Sequence, residues 1–191
     1  MYKIFIDTET TGLSSTQHGI WEIAFLIYKE DIELERVKYN LNIFPSDKID
    51  PKALQIGGIH EIDLTKFASP TETYKKIKQT FEKYIDKYNS KSKFVMYAYN
   101  ARFDYDFLRA WWEKNGDKYF GSYIWFPPVD VMNLAMNYLQ HERANLPDFK
   151  LPTVAAYLGV NIDPSLLHTA MYDIEITKKI YEKINQSKEK K

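Results

Sequence analysis

The densest group of chemically capable side chains begins at Asp7-Thr8-Glu9, directly after the apolar run Tyr2-Lys3-Ile4-Phe5-Ile6. In an extended strand, residues i and i+2 share a face, so the two carboxylates point the same way. Burying one such charge is costly, and burying two of like sign costs more because each disfavours ionisation of the other. Divalent cations held by hard oxygen ligands resolve that conflict. Thr10-Thr11-Gly12-Leu13 follows. Small residues and a glycine leave backbone amides open to a phosphate or a nucleotide. Leu13 is either an exposed apolar contact on that loop or a core residue.

A second group is Asn100-Ala101-Arg102-Phe103-Asp104-Tyr105-Asp106, placed where a buried strand gives way to a helix. Asn100 suits the N-cap. Asp104 falls in the first turn, where a carboxylate complements the helix dipole. Asp104 and Asp106 are about 200° apart around a helix, so only one of them faces a given site. The third group is His168-Thr169-Ala170-Met171-Tyr172-Asp173. Asp173 shares a helix face with Ile176, Ile180 and Ile184, and an aspartate on an inward face needs a partner such as a metal. A histidine near a helix start is usually structural or exposed. Beside metals, an imidazole with an unperturbed pKa of about 6.5 is a candidate general base.

The elements that must position these groups are legible in outline. Tyr2 to Ile6, Ile20 to Tyr28 and Arg36 to Phe44 read as strands, the last two joined as a hairpin through the charged stretch Lys29 to Glu35. Asp50-Pro51 opens a short helix through Ile56, and Gly57-Gly58 ends it. Ser69-Pro70 starts a helix through about Tyr88. Phe94 to Ala98 reads as a buried strand, Arg102 to Asn115 as a helix, and Tyr123 to Phe126 as the last strand before Pro127-Pro128. Val131 to Gln140, Leu151 to Leu158 and Ala170 to Asn185 read as helices. Hairpin strands followed by strands alternating with helices imply an α/β fold, a five-stranded mixed sheet flanked by helices, with sites near the ends of central strands.

Composition narrows the function classes. The chain has 191 residues, enough for one sizeable core, and 26 Lys+Arg balance 26 Asp+Glu. Zero net charge argues against coating duplex nucleic acid by charge alone but allows a local grip on a strand end. With no cysteine, disulfides and thiolate metal sites are excluded while carboxylate sites for hard cations remain. The chain opens directly on a strand pattern and has no apolar run of about 20 residues, so a soluble cytoplasmic protein with no membrane contact is expected. Residues 1–185 are expected to form one domain and 186–191 a charged, frayed tail.

Taken together, Asp7/Glu9, Asn100-x-x-Phe103-Asp104 and His168-x4-Asp173 resemble the DEDDh family of 3′–5′ exonucleases in order and in spacing. Pro51 to Ile59, Asp130-Val131 and Leu151 to Val160 also look alike, so the likeness covers roughly residues 1–185. It implies an RNase H-like exonuclease fold. It further implies that Asp7, Glu9, Asp104 and Asp173 ligate two Mg²⁺ or Mn²⁺ ions, Asp7 bridging them, and that His168 is the general base. Thr8, Thr10, Leu13, Asn100 and Phe103 would contact substrate. A related branch places Tyr four residues before the last Asp; Thr169 stands there, so the His branch fits. Family members often have His-Gly-Ile where this chain has Gly57-Gly58-Ile59, which marks a difference on the substrate side. The expected activity is release of 5′-mononucleotides from the 3′ ends of single-stranded nucleic acid, DNA favoured over RNA. An RNase T or oligoribonuclease-like exoribonuclease, or the proofreading partner of a DNA polymerase, is the alternative.

Overall fold

The computed structural model describes residues 1–189. Its spine is β1 (Tyr2–Thr10), which carries Asp7 and Glu9 in its second half. The strand runs four residues beyond the apolar segment, because its far end is paired along its whole length. β2 (Ile20–Lys29) lies antiparallel to it, from Tyr2 opposite Lys29 to Thr10 opposite Ile20. β3 (Ile32–Asn40) continues the hairpin at the sheet edge. On the other side of β1, β4 (Val95–Ala98) and then β5 (Val129–Asp130) add in parallel, giving the order β3-β2-β1-β4-β5. The expected five-stranded mixed sheet is present, and the C-terminal ends of its three parallel strands lie side by side.

Helices α1 (Pro51–Ile56) and α2 (Glu61–Leu64) lie in the connection from β3, with Asp50 capping α1 through the Lys52 amide. Then come α3 (Pro70–Glu82), α4 (Ala101–Lys114), α5 (Val131–Tyr138), α6 (Leu151–Tyr157) and α7 (Ala170–Glu189). Strand alternation sends Ile4 and Ile6 to a core shared with α3 and α4, built around Phe25, Phe81, Phe94, Trp111 and Trp112. Phe5 points the other way, into a core shared with α5, α6 and α7 that contains Leu26, Val131, Ile174, Ile176 and Ile180. The isoleucine face expected on α7 is indeed inward.

Among the boundaries that differ from the sequence reading, four stand out. β3 begins at Ile32, inside the charged stretch read as the hairpin turn. On an edge strand charge is tolerated, and here Glu33 pairs with Arg36 and Glu35 with Lys83. α3 stops at Glu82 rather than near Tyr88. Beyond it Asp86 accepts from the Tyr88 amide and Ser92 from the Asp86 amide, local side-chain bonds that compete with the helix. Tyr123–Phe126 makes only a single bridge, Ile124 to Phe94, and the last strand is instead Val129–Asp130. Pro127 and Pro128 offer no N–H, so the ladder resumes only after them. Finally, α7 continues to Glu189, so most of the stretch expected to fray is helical; its last two residues, 190 and 191, lie outside those described. No helix of the described residues is long and apolar enough to cross a membrane.

Phe81 sits where the two halves of the first core meet, against Phe25, Phe94, Trp112 and Tyr123. Truncating it leaves a cavity that rigid ring neighbours fill poorly. Phe81→Ala is expected to lower unfolding free energy by about 3–5 kcal/mol. Urea denaturation followed by circular dichroism measures this, and a loss under about 1 kcal/mol would mean that this ring cluster is not close-packed.

Candidate active site

The functional groups come from the second half of β1, the first turn of the helix after β4, and the loop and first turn that open α7. Asp7 and Glu9 stand on the face of β1 that looks toward α7, and both are half-buried. Thr8, on the opposite face, is buried, and its amide and hydroxyl both donate to Asp104 Oδ1, at 3.0 and 2.8 Å. Asp104 enters from the first turn of α4, the helix that follows β4, and is 2% exposed. Of the two carboxylates on that turn, Asp104 is therefore the inward one. Asp106 lies outside, paired with Arg102 at 2.6 Å. Thr8, expected to touch substrate, has its polar groups committed to holding Asp104.

Asp173 comes from the opening of α7. One oxygen each from Asp7, Glu9 and Asp173 lie within 4.8 Å of one another. Asp173 Oδ1 is buried with no hydrogen-bond partner. Three converging carboxylates, one with an orphaned buried oxygen, are a donor set suited to a hard divalent cation. Asp104 stands outside this trio but is the strongest electrostatic neighbour of Asp7. His168 is exposed and lies in the loop just before α7 with φ +64°, a left-handed conformation uncommon for a non-glycine residue. Such outliers concentrate where function constrains the backbone.

The loop after β1 is closed by specific bonds. The Thr11 amide donates to Gly19 O at 2.9 Å, and its hydroxyl donates to Lys48 O at 2.6 Å. A Cβ on Gly12 would sit 2.3 Å from the His18 ring, so only glycine allows this approach. The closed loop leaves Leu13 85% exposed, which decides between its two readings in favour of the exposed one. Thr10 turns its hydroxyl onto Gly12 O. Asn100 occupies the cap position of α4 but not as expected. Its φ is +62° and its side chain makes no cap bond. Its amide instead donates to Asp130 Oδ1, which also caps α5 through Met132. An asparagine is among the few side chains that tolerate this left-handed turn. Phe103 is half-buried against Phe107 and the core beneath the site.

Two contributors had no role assigned from sequence: Asp130, noted only within the Asp130-Val131 likeness, and Glu22, not noted at all. Asp130 ties the starts of α4 and α5 together. Glu22 on β2, 2% exposed, lies directly across the ladder from Glu9. A lone acid inside the apolar run Ile20-Trp21-Glu22-Ile23-Ala24-Phe25 was the available signal.

The electrostatics are those of a site charged beyond what its own groups neutralise. Burial, then the charges of Asp104, Glu9 and Asp173, hold the Asp7 carboxyl well above the usual range. Burial and the charge of Asp173 push Glu9 up to about 8. Burial raises Asp104 to about 7 against the opposing Thr8 hydrogen bonds. Burial raises Asp173 to about 6, opposed by the charge and backbone amide of His168.

An exonuclease family model, RNase T, matches residues 4–181. The chain belongs to the RNase T exonuclease family. It is thus a nuclease of the DEDDh 3′–5′ type, a phosphodiester hydrolase. It is 29% identical to Ribonuclease T of Buchnera aphidicola over 96% of this chain and 83% of that protein. It is 28% identical to the PolC-type DNA polymerase III of Mycoplasmopsis pulmonis, over 93% of this chain but 11% of that much longer protein. Among solved structures, Escherichia coli Exonuclease I in complex with a dT13 oligonucleotide superposes with a TM-score of 0.74 at 20% identity, over 95% of this chain and 40% of that one. That likeness establishes the RNase H-like exonuclease fold.

The raised carboxylates make stability depend on pH in a defined direction. Each has a higher pKa folded than unfolded, so the folded state holds more protons between the unfolded values near 4 and the folded value of about 8 at Glu9. Stability of the metal-free protein therefore falls as pH rises through that window. In EDTA, the melting temperature is expected to drop from about pH 5 to about pH 8, and Mg²⁺ to restore more of it at the higher value. Asp7→Asn should flatten this slope. A wild-type slope matching that of Asp7→Asn would show that the carboxylates do not repel one another in a shared site.

Proposed function

We propose that the chain removes 5′-mononucleotides one at a time from the 3′ end of single-stranded nucleic acid, with residues 1–185 acting as one exonuclease unit. The observation that carries this is the convergence of Asp7, Glu9 and Asp173, with Asp104 beside them and His168 at the loop that leads into Asp173. Asp7, Glu9, Asp104 and Asp173 would hold two Mg²⁺ or Mn²⁺ ions. Four carboxylates carry about −4, which two such ions neutralise. When bound, the ions supply an activated water and charge stabilisation at the departing 3′ oxygen. Asp7 would be the central carboxylate of that set, since it feels the charge of each of the other three.

The remaining residues bind and position. His168, exposed and on a loop, takes the proton from the attacking water. Leu13, held out by the Thr11–Gly19 closure, presents an apolar surface to the terminal base. Thr10, Asn100 and Phe103 line the approach. Thr8 acts on substrate only through Asp104.

The identity of the sugar divides two readings. DNA is the substrate favoured from the sequence, supported by a fold shared with Exonuclease I, whose structures hold oligodeoxynucleotides. RNA is supported by likeness to proteins named Ribonuclease T over 83% of the length of one of them. The PolC-type likeness supports a third role, proofreading beside a polymerase.

Matched 3′-labelled single strands of DNA and RNA, incubated with Mg²⁺, Mn²⁺ or EDTA, test all of this together. Labelled mononucleotide is expected with either metal and none with EDTA. Asp7→Ala and Asp173→Ala should reduce release to the EDTA level, and near-wild-type turnover in either would refute the carboxylate mechanism. His168→Ala is expected to lower kcat by about 10²–10⁴. No loss there would move the base role to another group.

A further inference from the structure

Glu22 is a buried carboxylate that the exonuclease mechanism does not use. Its Oε1 accepts the Ala170 amide at 2.8 Å, across 148 residues of chain. Its Oε2 accepts from Asn40 Nδ2 at 2.9 Å and faces Lys38 Nζ at 2.8 Å. Glu9, Glu22 and Asn40 form one row across β1, β2 and β3, on the face that looks toward α7. Ala170 is the first residue of α7, two after His168 and three before Asp173. Its N–H is one of the first-turn amides that a helix cannot satisfy internally.

We propose that Glu22 is a positioning residue that clamps the N-terminus of α7 to the sheet, so that Asp173 and His168 are held at fixed distance from Asp7 and Glu9. This rests on the exonuclease reading and deepens it. The physical case has three parts. A carboxylate at a helix N-terminus is favoured by the dipole and by the free amide together. Burying it beside Glu9 would be prohibitive unpaired, and Lys38 with Asn40 supplies the pairing from the edge strand. The bond also acts at the right place. A helix whose first turn is loose moves its first-turn side chains most, and a misplacement of about 1 Å at a reacting centre is enough to cost about 10²-fold in rate. The clamp thus transmits order from β3 through Glu22 to the Asp173 carboxylate without touching substrate.

Glu22→Gln keeps the shape but leaves one arm facing donors with a donor; Glu22→Ala removes both arms. Ile180→Val, buried in the same helix face, serves as a control for simple destabilisation of α7. Three readouts are compared with wild type: Mn²⁺ affinity by calorimetry, kcat and KM on a short single strand, and hydrogen exchange at the Ala170 amide. Glu22→Gln is expected to weaken Mn²⁺ binding and lower kcat by about tenfold or more, with KM little changed and faster exchange at Ala170. Glu22→Ala should do more, and Ile180→Val should leave Mn²⁺ affinity and kcat near wild type. Wild-type Mn²⁺ affinity and kcat in Glu22→Gln would overturn the clamp, as would equal losses in Glu22→Gln and Ile180→Val. A wild-type protein with no nuclease activity would overturn the exonuclease reading instead. Exchange at Ala170 would then still support the clamp if Glu22→Gln speeds it and overturn it if not.

Discussion

Mutual repulsion among carboxylates at the end of one buried strand is the constraint around which this molecule is built. Asp7 and Glu9 share a face of β1, and Asp173 is brought against them. Asp104 adds a fourth charge from beside the strand. Burial first, and the neighbouring charges after it, make these groups hold protons at pH values where isolated carboxylates are ionised. The rest of the structure supplies enough packing to keep them together in spite of that. Both faces of β1 are covered, by aromatic and aliphatic cores on the α3–α4 side and the α5–α7 side. Repulsion that packing overcomes becomes affinity for cations.

The supports around the site follow one pattern. Thr8 faces away from the carboxylate trio and fastens Asp104 with two hydrogen bonds. Asp130 closes β5 and joins the starts of α4 and α5. Glu22 joins β2 to the start of α7. In each case a polar group on a sheet strand takes a backbone amide or holds a carboxylate from a neighbouring helix. The Thr8 and Glu22 bonds are buried, where they are worth more than on the surface and where losing one partner leaves the other unsatisfied. The cluster can thus be dense in charge and still be held in place.

Zero net charge also makes sense in this light. Charge on this chain is local: Arg36 joins Glu33 and Glu175, Lys78 joins Asp117, and Lys83 joins Glu35. Such pairs add little stability each. Two of them tie the edge strand β3 to its surroundings, Arg36 to Glu175 on α7 and Glu35 to Lys83 at the end of α3, which steadies the sheet that carries the site.

Much of this was readable from the chain alone. Local chemistry marked Asp7, Glu9, Asp104, His168 and Asp173, because carboxylates at strand and helix ends follow residue periodicity and capping preference. The same local rules placed β2, α1 and α7 and the inward isoleucines; geometry on one helix said only that Asp104 and Asp106 cannot both face the site, and the family resemblance favoured Asp104. What the tertiary structure alone decided lies between distant segments. The pairing of β1 to β2 carried the strand through the acidic motif and set Glu22 beside Glu9. The partners of Glu22 come from two stretches far from it and from each other, Lys38 and Asn40 on β3 and Ala170 at the start of α7, and no local pattern relates Glu22 to Ala170. The last strand moved past Pro127-Pro128 because ladder bonds need donors where β4 ends. Asn100 adopted a left-handed turn because Asp130 was there to take its amide. Short-range rules determine which residues are capable of chemistry, since side-chain type and spacing are local properties. Which groups satisfy a buried charge is settled only when chain segments far apart in sequence meet, because that energy exists only in the folded contact.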